Sequence, residues 1–321
     1  MKAVVFTGAG GNEVVSVEER PDPEPSAEDV LVRVSYAGLN PADLVQRAGN
    51  YPAPPGSPHD VPGLEVAGIV ERCGERVSSW RPGDRVFGLV GGGGLADRVL
   101  AHERCVAPVP ETLDEEGAAA VPEAFITAHD AAYTQGRLRP GETLLVHGAA
   151  GGVGTAAVQL GVASGARVVA TVRSPGTADA VADLGAEVVQ DEDFHAVASV
   201  SANLILELVG GVHFPANLDV LAHRGRIVIV SVAGGNEIDF PLVALMQKRA
   251  AIMGTVLRSR PLEEKAAAVR AFEREAVPGL ASGRLHPVVD SVYPVAEIRA
   301  AFDRLEERGK LGKVLLDFTA R

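Results

Sequence analysis

Residues 144–161 read LLVHGAAGGVGTAAVQLG, in which a short apolar run precedes four glycines and an alanine-rich run. This order predicts a strand, a tight turn and a helix. A turn without side chains lets backbone N–H groups approach a phosphate, and the positive end of the helix dipole adds to the attraction. The spacing is GxxGxxG rather than GxGxxG, and close packing of a strand on a helix also favours glycine. The segments around the turn decide between the two interpretations.

Apolar runs typical of buried strands alternate with helical runs from residue 117 onward. The strand candidates are TLLVH, ARVVATV, EVVQ, NLILELV and RIVIVSV, and the helix candidates are residues 118–133, TAAVQLGVASG and ADAVADLG. Strands that are apolar on both faces and alternate with helices are typical of a doubly wound parallel sheet. The sequence therefore predicts an α/β domain of Rossmann type, whose glycine turn binds a dinucleotide.

The first third of the chain contains short β-branched runs that are separated by proline and glycine turns. The runs are KAVVF (2–6), DVLVRVSYAG (29–38), EVAGIVERCG (65–74), DRVFGLV (84–90) and ADRVLA (96–101). Their length and spacing predict an antiparallel sheet or a partial barrel. Helices are expected around 263–276 and 295–308, the second with Ile298, Ala301, Phe302 and Leu305 on one face, before a last strand at 313–318.

The bulk composition limits the classes of function. A chain of 321 residues is long enough for two domains. Its formal net charge of -12 argues against nucleic acid and anionic membranes as partners, because an acidic surface repels both. The chain has only two cysteines and no stretch typical of a signal peptide or a membrane helix. We therefore expect a cytoplasmic protein in a reducing compartment.

The residues at the end of the second strand of the α/β domain bear on the choice of dinucleotide. An NAD-selective site presents an acidic residue to the adenosine ribose about 20 residues after the glycines. Residues 168–174 read VVATVRS and contain no acid. Arg173 can pair with the 2′-phosphate of NADPH, and Thr171 and Ser174 can donate hydrogen bonds to it. Arg173 as a solvated loop cation is the alternative. The sequence favours NADPH over NADH.

Several separated motifs resemble, in the same order, those of the medium-chain dehydrogenase/reductase superfamily. They are LNPADLVQRAGNYPAPPG (39–56), PGLEVAG (62–68), AAAVPEAFITA (118–128), HGAAGGVGTAAVQL (147–160), NLILELVGG (203–211), LRSR (257–260) and LGKVLL (311–316). The chain is similar in particular to the zinc-independent quinone oxidoreductase branch, and within it to the p53-induced quinone reductase type. The resemblance implies a GroES-like β-rich catalytic domain from residues 1–119 and 258–321 and a Rossmann NADPH-binding domain from residues 120–257. It also implies a homodimer, for which IMGTVL (252–257) is a plausible edge strand pairing across a two-fold axis.

The resemblance further indicates how the metal site of related enzymes has changed. Zinc-dependent members carry a cysteine where Asn40 stands, a histidine where Leu64 stands, and a four-cysteine lobe that this sequence lacks. An amide and a leucine do not replace a thiolate and an imidazole on zinc, so no metal is expected. Without that Lewis acid, quinones and activated enones are better hydride acceptors than ketones.

The same resemblance assigns catalytic positions beside the nicotinamide or the acceptor to Asn40, Asp43, Tyr51 and Thr127. Each has an alternative structural interpretation. Asn40 is otherwise a turn residue, and Tyr51 a packing residue in a proline-rich loop. Asp43 is otherwise the i,i+4 ion-pair partner of Arg47, and the Thr127 hydroxyl otherwise bonds to the backbone of its own helix.

The residues expected to contact NADPH lie at the glycine turn, at the carboxyl ends of the strands and in the last motif. They are Gly148, Ala150, Gly151, Gly152, Val153, Gly154, Thr171, Arg173, Ser174, Val209, Ser231, Ala233, Gly234, Val256, Leu257 and Lys313. Ligands of open α/β sheets bind at the carboxyl edge of the strands. His129 and His147 are interpreted as core residues rather than as proton donors.

Together these expectations describe an enzyme that transfers a hydride from NADPH to a small-molecule quinone or enone, with a proton from Tyr51 or from solvent. Two alternatives remain open. An enoyl-thioester reductase shares the glycine turn, but such enzymes usually carry a tyrosine directly after the asparagine, where Pro41 stands here. A sensor that binds NADPH without turnover is the other alternative, because a binding motif alone does not require catalysis.

Overall fold

The structure is a computed structural model that describes residues 1–190, 197 and 199–320. The chain forms two compact units, which we call the β-rich unit (residues 1–126, 257–307 and 313–321) and the parallel-sheet unit (residues 127–256 and 308–312). The first division falls after Ile126, whereas the sequence placed it after residue 119. The segment 308–312 joins the parallel-sheet unit because Gly312 N donates a hydrogen bond to Ala150 O at 2.8 Å.

The described residues contain fifteen strands and ten α-helices. The strands are β1 Lys2–Phe6, β2 Val15–Glu19, β3 Asp29–Leu39, β4 Glu65–Cys73, β5 Arg85–Leu89, β6 Arg98–His102, β7 Val106–Pro108, β8 Thr143–Val146, β9 Arg167–Val172, β10 Glu187–Gln190, β11 Ala202–Glu207, β12 Leu221–Ile229, β13 Ala251–Gly254, β14 Val289–Pro294 and β15 Lys313–Asp317. The helices are α1 Pro41–Arg47, α2 Glu115–Ala119, α3 Thr127–His129, α4 Gly152–Ala163, α5 Ala178–Asp183, α6 Phe214–Val220, α7 Leu242–Lys248, α8 Leu262–Glu275, α9 Val277–Ala281 and α10 Ile298–Glu306.

The β-rich unit is built on a seven-stranded sheet. Its order is β14-β15-β3-β4-β5-β7, with β6 paired to β3, and its pairs are antiparallel except β14 with β15. Val30, Val32 and Val34 alternate along β3 and pack in one apolar core with Phe302 of α10. The period of two along β3 explains this burial, because alternate side chains of a strand point to the same face. The four apolar residues predicted to share one face of α10 are all buried.

The parallel-sheet unit has six parallel strands in the order β10-β9-β8-β11-β12-β13. Leu145 of β8, Val169 of β9 and Ile205 of β11 belong to its apolar core. The chain order reverses direction between β8 and β11, which is the switch point where ligands of doubly wound sheets bind. The predicted doubly wound α/β architecture is confirmed.

The segment predicted as one helix over residues 118–133 is helical but irregular. The short helix α3 lies between two π-helical turns, Pro122–Ile126 and Asp130–Gln135. Inserted π turns are frequent at functional sites because they change the direction of the side chains that follow. Within the described ranges, no helix has the length and apolar character needed to cross a bilayer.

Candidate functional site

The glycine turn joins β8 to α4 and needs glycine for two reasons: a positive φ at one position and close backbone packing at another. Gly148 has a φ of +65°, in the left-handed region that glycine adopts without strain. At Gly154 a Cβ atom would lie 2.5 Å from Gly148 O and 2.6 Å from Ala149 Cα. The close-packing interpretation is therefore correct for Gly154. Close packing at Gly154 does not exclude phosphate binding, because the glycines also leave the backbone N–H groups at the start of α4 without side chains over them.

The start of α4 has the features of an anion site. Its N-cap is Gly151, which provides no side-chain cap, and its first turn contains no acidic residue. The first N–H groups of a helix have no partner within the helix, and the helix dipole adds positive potential there. A pyrophosphate therefore fits this turn, with Gly152, Val153 and Gly154 presenting the N–H groups. Their predicted contact with NADPH stays a prediction.

Thr127, which begins α3, is the second feature that fits a ligand in the parallel-sheet unit. It is buried, with 8% of its surface exposed, and its Oγ1 has no hydrogen-bond partner among the described residues. The alternative, a hydrogen bond from this hydroxyl to the backbone of its own helix, is therefore not formed. A buried hydroxyl without a partner is costly, and the carboxamide of a nicotinamide is one group that relieves the cost.

A buried hydrogen-bond network joins the ends of the parallel strands. His147 Nε2 lies 2.7 Å from Asn217 Oδ1, and His147 Nδ1 lies 3.0 Å from Thr171 Oγ1. Asn217 Nδ2 donates to Glu207 Oε2 at 2.7 Å, and Glu207 Oε1 accepts from the N–H groups of Val209 and Gly210, each at 2.8 Å. The network fixes the chain as it leaves β11, where Val209 lies.

The network bears on two of the residues singled out from the sequence. His147 is a core residue, as predicted, with no exposed surface. Thr171 is buried, and its hydroxyl is hydrogen-bonded to His147. Its role as a hydrogen-bond donor to the 2′-phosphate stays a prediction, which requires the same hydroxyl to contact both His147 and the phosphate. Burial raises the pKa of Glu207, but the hydrogen bond of His213 and the charge of His147 outweigh it and leave that pKa below its ordinary value.

His147, Glu207 and His213 also bring possible metal-ligand atoms within 4.8 Å of one another. A metal ion needs free lone pairs on its ligands. Both Glu207 oxygens and both His147 nitrogens already have hydrogen-bonding partners in the protein. We therefore interpret this cluster as structural support for the strand ends.

The other predicted cofactor residues occupy strand ends and loops. Arg173 follows β9 directly, is exposed, and has no ion-pair partner within the described part of the chain, while Ser174 beside it is partly exposed. Ser231, Ala233 and Gly234 follow β12. Their contacts with a cofactor stay predictions, as do those of Val256 and Leu257, which follow β13 and of which Leu257 is buried.

In the β-rich unit, four side chains from three separated segments form a buried polar cluster: Asn40, Asp43, Glu65 and Lys313. Lys313 Nζ donates to Asn40 Oδ1 and to Leu39 O, at 2.6 and 2.7 Å, and lies 2.6 Å from Glu65 Oε1. Asn40 Nδ2 donates to Glu65 Oε1 at 2.9 Å. The side chain of Glu65 has no exposed surface, so it depends on these partners for its solvation.

Asn40 and Asp43 enter this cluster through the start of α1. Asn40 is the N-cap residue and Asp43 the third residue of the helix, and they form a capping box. Asp43 Oδ2 accepts from Asn40 N at 2.8 Å, and Oδ1 accepts from Gly63 N at 3.2 Å. Arg47 instead pairs with Glu306 and Asn12, so the alternative of a local Asp43–Arg47 ion pair is not formed.

Two carboxyl groups here have strongly shifted pKa values. Burial raises the pKa of Asp43 to about 6, against the opposing effect of its hydrogen bond from Asn40 N. Burial and the nearby charge of Glu65 raise the pKa of Glu123 to about 8. The backbone N–H of Glu123 donates to Glu65 Oε2 at 2.7 Å, which places this residue beside the buried polar cluster. At neutral pH the Glu123 carboxyl group is mainly protonated.

One member of the cluster, Asn40, stands where the resemblance places a zinc-binding cysteine, and Leu64 stands where it places a zinc-binding histidine. Asn40 Oδ1 and Glu65 Oε1 are both directed at the Lys313 ammonium, and Leu64 offers no ligand atom. A divalent cation at this point would be repelled by the fixed positive charge and would lack soft ligands. The residues present do not fit a zinc ion.

Tyr51 is held by a residue that the sequence analysis did not assign a role. The Arg258 guanidinium lies 4.8 Å from the centroid of the Tyr51 ring, and its Nη1 donates to Tyr51 O at 3.2 Å. Its Nη2 donates to Gln46 Oε1 at 2.6 Å. Burial raises the pKa of the Tyr51 phenol. Arg258 is therefore a positioning residue for the loop that carries Tyr51.

Comparison with known proteins gives both domain matches and full-length matches. Two protein families match the chain: the alcohol dehydrogenase GroES-like domain over residues 26–111 and the zinc-binding dehydrogenase over residues 152–274. The quinone oxidoreductase of Sus scrofa is 36% identical over 98% of this chain and 97% of its own length. The quinone oxidoreductase of Thermus thermophilus, whose complex with NADPH has been solved, is 37% identical with a TM-score of 0.85, over 99% of this chain and 100% of that chain. The CurK enoyl reductase is 26% identical with a TM-score of 0.85, over 98% of each chain.

Proposed function

Because the chain belongs to the medium-chain dehydrogenase/reductase superfamily, we propose that it is an NADPH-dependent quinone oxidoreductase that works without zinc. The family and the fold class that the sequence motifs predict, a GroES-like β-rich domain with a Rossmann sheet, are confirmed. The proposal for the acceptor is supported by relatives named quinone oxidoreductase and by the chemistry of the buried polar cluster.

The cofactor proposal is supported by features of the parallel-sheet unit. The uncapped start of α4 fits a pyrophosphate, and the Thr127 hydroxyl lacks a partner. The Thermus thermophilus relative has been solved with NADPH. Exposed Arg173 at the end of β9 is our basis for preferring NADPH to NADH, since a guanidinium pairs well with a phosphate. When bound, NADPH supplies the hydride for the acceptor.

One observation carries the zinc-independent part of the proposal: the Lys313 ammonium bonded to Asn40 Oδ1 and paired with Glu65. Ketone reduction develops a full alkoxide charge that a metal ion usually stabilises. A quinone or an activated enone delocalises the charge it gains, so it needs no such ion. The cluster therefore selects against simple ketones and in favour of electron-poor acceptors.

Glu123 and Tyr51 are the proton donors that we propose for the reduced acceptor. Glu123 is mainly protonated at pH 7 because burial and the charge of Glu65 raise its pKa to about 8, and the Tyr51 phenol is neutral at this pH even at its ordinary pKa, which burial raises further. Glu123 is partly buried beside the cluster, and Arg258 fixes the Tyr51 ring. A general acid needs a pKa near the working pH, which favours Glu123 over Tyr51 in this role.

The proposed function is tested by steady-state oxidation of NADPH with an ortho-quinone, a para-quinone, an enone and a crotonyl thioester as acceptors. We expect turnover with the quinones to exceed that with the thioester. Turnover with the thioester alone would support the enoyl reductase alternative, for which the CurK likeness is the specific observation. NADPH binding without any acceptor-dependent oxidation would support the sensor alternative.

We also propose that the protein forms a homodimer through the edge of the parallel sheet. The strand β13 is the outermost strand of that sheet, and α7 beside β12 has no buried residue. Its Leu242, Val243 and Met246 are 67, 63 and 73% exposed. Exposed edge strands and apolar patches are surfaces on which another chain can pair, and a second copy of this chain would continue the sheet. Sedimentation of Met246→Glu beside the natural protein tests this, with a shift toward monomer expected.

A further inference from the structure

The β-rich unit contains a cavity of about 270 Å³ that the proposed function does not use. Leu89, Leu100 and Leu262 contribute apolar walls, and Arg260 and Lys265 contribute the cationic side chains. His102 also lines the cavity, with its Nδ1 accepting a hydrogen bond from Arg104 N. The protein as a whole carries a net charge of -12, yet none of the cavity-lining residues is acidic. The cavity is thus a positively charged and partly apolar site on an acidic protein.

Lys265 is the group in this cavity with unused bonding capacity. Its Nζ donates one hydrogen bond, to Arg258 O at 2.9 Å, and within the described part of the chain it forms no ion pair. An ammonium has three N–H donors. Burial lowers the pKa of Lys265, although the nearby Cys105 opposes the effect, which indicates that the ammonium has lost part of its water shell. An anion that supplied an acceptor would replace that lost solvation.

The size of the cavity limits the ligand. Sites for drug-sized molecules occupy about 300–1,000 Å³, so a cavity just below this range accommodates one or two rings. The three leucine side chains in its wall favour a ring compound over a hydrated inorganic ion. Pro55, Gly56 and Ser57 complete the wall, and they belong to the loop that carries Tyr51.

We propose that this cavity binds a small ring compound that carries a carboxylate or a sulfonate, with the Lys265 ammonium as the partner of the anionic group. Two sources have this chemistry. One is an acidic substituent on the acceptor itself, and this version rests on the proposed function. The other is a separate acidic effector that binds whether or not the protein turns over a quinone.

The binding test uses two probes with the same rings, naphthalene-2-sulfonate and the neutral naphthalene-2-sulfonamide, titrated calorimetrically into the full-length protein. We expect the sulfonate to bind at least about tenfold more tightly, because only the sulfonate accepts a charge-assisted hydrogen bond from the Lys265 ammonium. Equal affinity for both probes, or no heat with either, would overturn the proposal.

Variants of one position make the assignment specific. Lys265→Gln retains an N–H donor for Arg258 O but removes the charge, so it should weaken sulfonate binding about tenfold and leave sulfonamide binding unchanged. Lys265→Arg should restore most of the affinity. Arg284→Gln is the matched control, because it removes the same charge from an exposed position of the same unit. Sulfonate binding by Lys265→Gln equal to that of the natural protein would refute the site.

Inhibition kinetics separate the two sources. Competition between naphthalene-2-sulfonate and the quinone assigns the cavity to the acceptor, whereas inhibition or activation without competition assigns it to an effector. A protein that binds the sulfonate through Lys265 but oxidises no NADPH keeps this proposal and rejects the proposed function. A protein that reduces quinones but does not bind the sulfonate keeps the proposed function and rejects this proposal.

Discussion

The two units of this protein prepare a binding surface in opposite ways. In the buried polar cluster, side chains distant in sequence satisfy one another, and Asn40 meets Lys313 across 273 positions of chain. At the glycine turn, the chemistry belongs to the backbone, and side chains are absent because Gly154 has no room for a Cβ atom. The cluster is therefore held together by side chains that satisfy one another's charges, whereas the glycine turn exposes its backbone because it lacks side chains. Different substitutions should therefore damage each.

The largest effect is expected from breaking the charge balance of the cluster. Lys313→Met leaves Glu65 without a cation, in a position where its side chain has no exposed surface. Breaking a buried pair by removal of one partner costs about 3–5 kcal/mol of folding free energy. Urea unfolding measures the loss, and the double variant Lys313→Met/Glu65→Gln should recover a large part of it. A single variant as stable as the natural protein would show that the cluster is not held by charge.

A smaller but more localised effect is expected at the turn. Gly154→Ala places a methyl group 2.5 Å from Gly148 O, so the turn must shift, at a cost of about 1–3 kcal/mol. Calorimetric affinity for NADPH should fall because the shifted N–H groups no longer converge on the pyrophosphate. Gly176→Ala in the same unit is the control, since its added Cβ atom would meet nothing within 4 Å. Equal NADPH affinity for both variants would contradict the role of the turn.

Arg173→Ala tests cofactor preference at the parallel-sheet unit and should leave the fold unchanged. The side chain is exposed, so its loss should leave the melting temperature unchanged. The Kd for NADPH should rise about tenfold or more, because a charge-assisted bond to the 2′-phosphate is removed, and the Kd for NADH should barely change. Equal weakening for the two cofactors would reject the phosphate role and leave Arg173 as a solvated cation.

The smallest effect is a pH dependence at the edge of the cluster. The pKa of Glu123 is about 8 in the folded protein against an ordinary value of 4.5, so the unfolded chain releases this proton first. The stability provided by the neutral form is complete below pH 4.5 and is lost as the pH rises toward 8. Glu123→Gln mimics the neutral form. It should melt a few degrees above the natural protein at pH 8, with the difference vanishing near pH 4.5.

Two observations keep that last prediction specific. Glu111→Gln, at an exposed position of the same unit, should show no such pH-dependent difference. The Glu123→Gln variant should also reduce quinones more slowly if Glu123 donates the proton. A melting difference that is constant across the pH range would show that the effect is packing rather than titration.

A structural feature could be predicted from the sequence when the residues that determine it are close to one another in the chain. The glycine turn could be predicted because Gly148 and Gly154 meet a demand that is set by their immediate neighbours. The amphipathic face of α10 could be predicted for the same reason, since its four buried residues follow the helical period.

The cluster could be predicted only in part, because its partners come together through tertiary pairing. Lys313 pairs with Glu65, a contact that depends on β15 lying beside β3 and β3 beside β4, and its predicted contact with NADPH stays a prediction. Glu123, Arg258 and the acid Glu207 at the end of an apolar strand were missed as functional groups. The only local signal was a charged residue in an otherwise apolar run, and such a signal does not name a partner.

The proposed zinc independence depends most on the buried Lys313 ammonium, which is bonded to Asn40, the residue that stands where the resemblance places a zinc-binding cysteine. The most direct test measures NADPH-dependent quinone reduction by protein dialysed against a chelator, together with its zinc content, before and after zinc is added back. We predict less than stoichiometric zinc throughout and an unchanged kcat/KM. One bound zinc per chain, with activity that is lost on chelation and restored by the metal, would contradict the account.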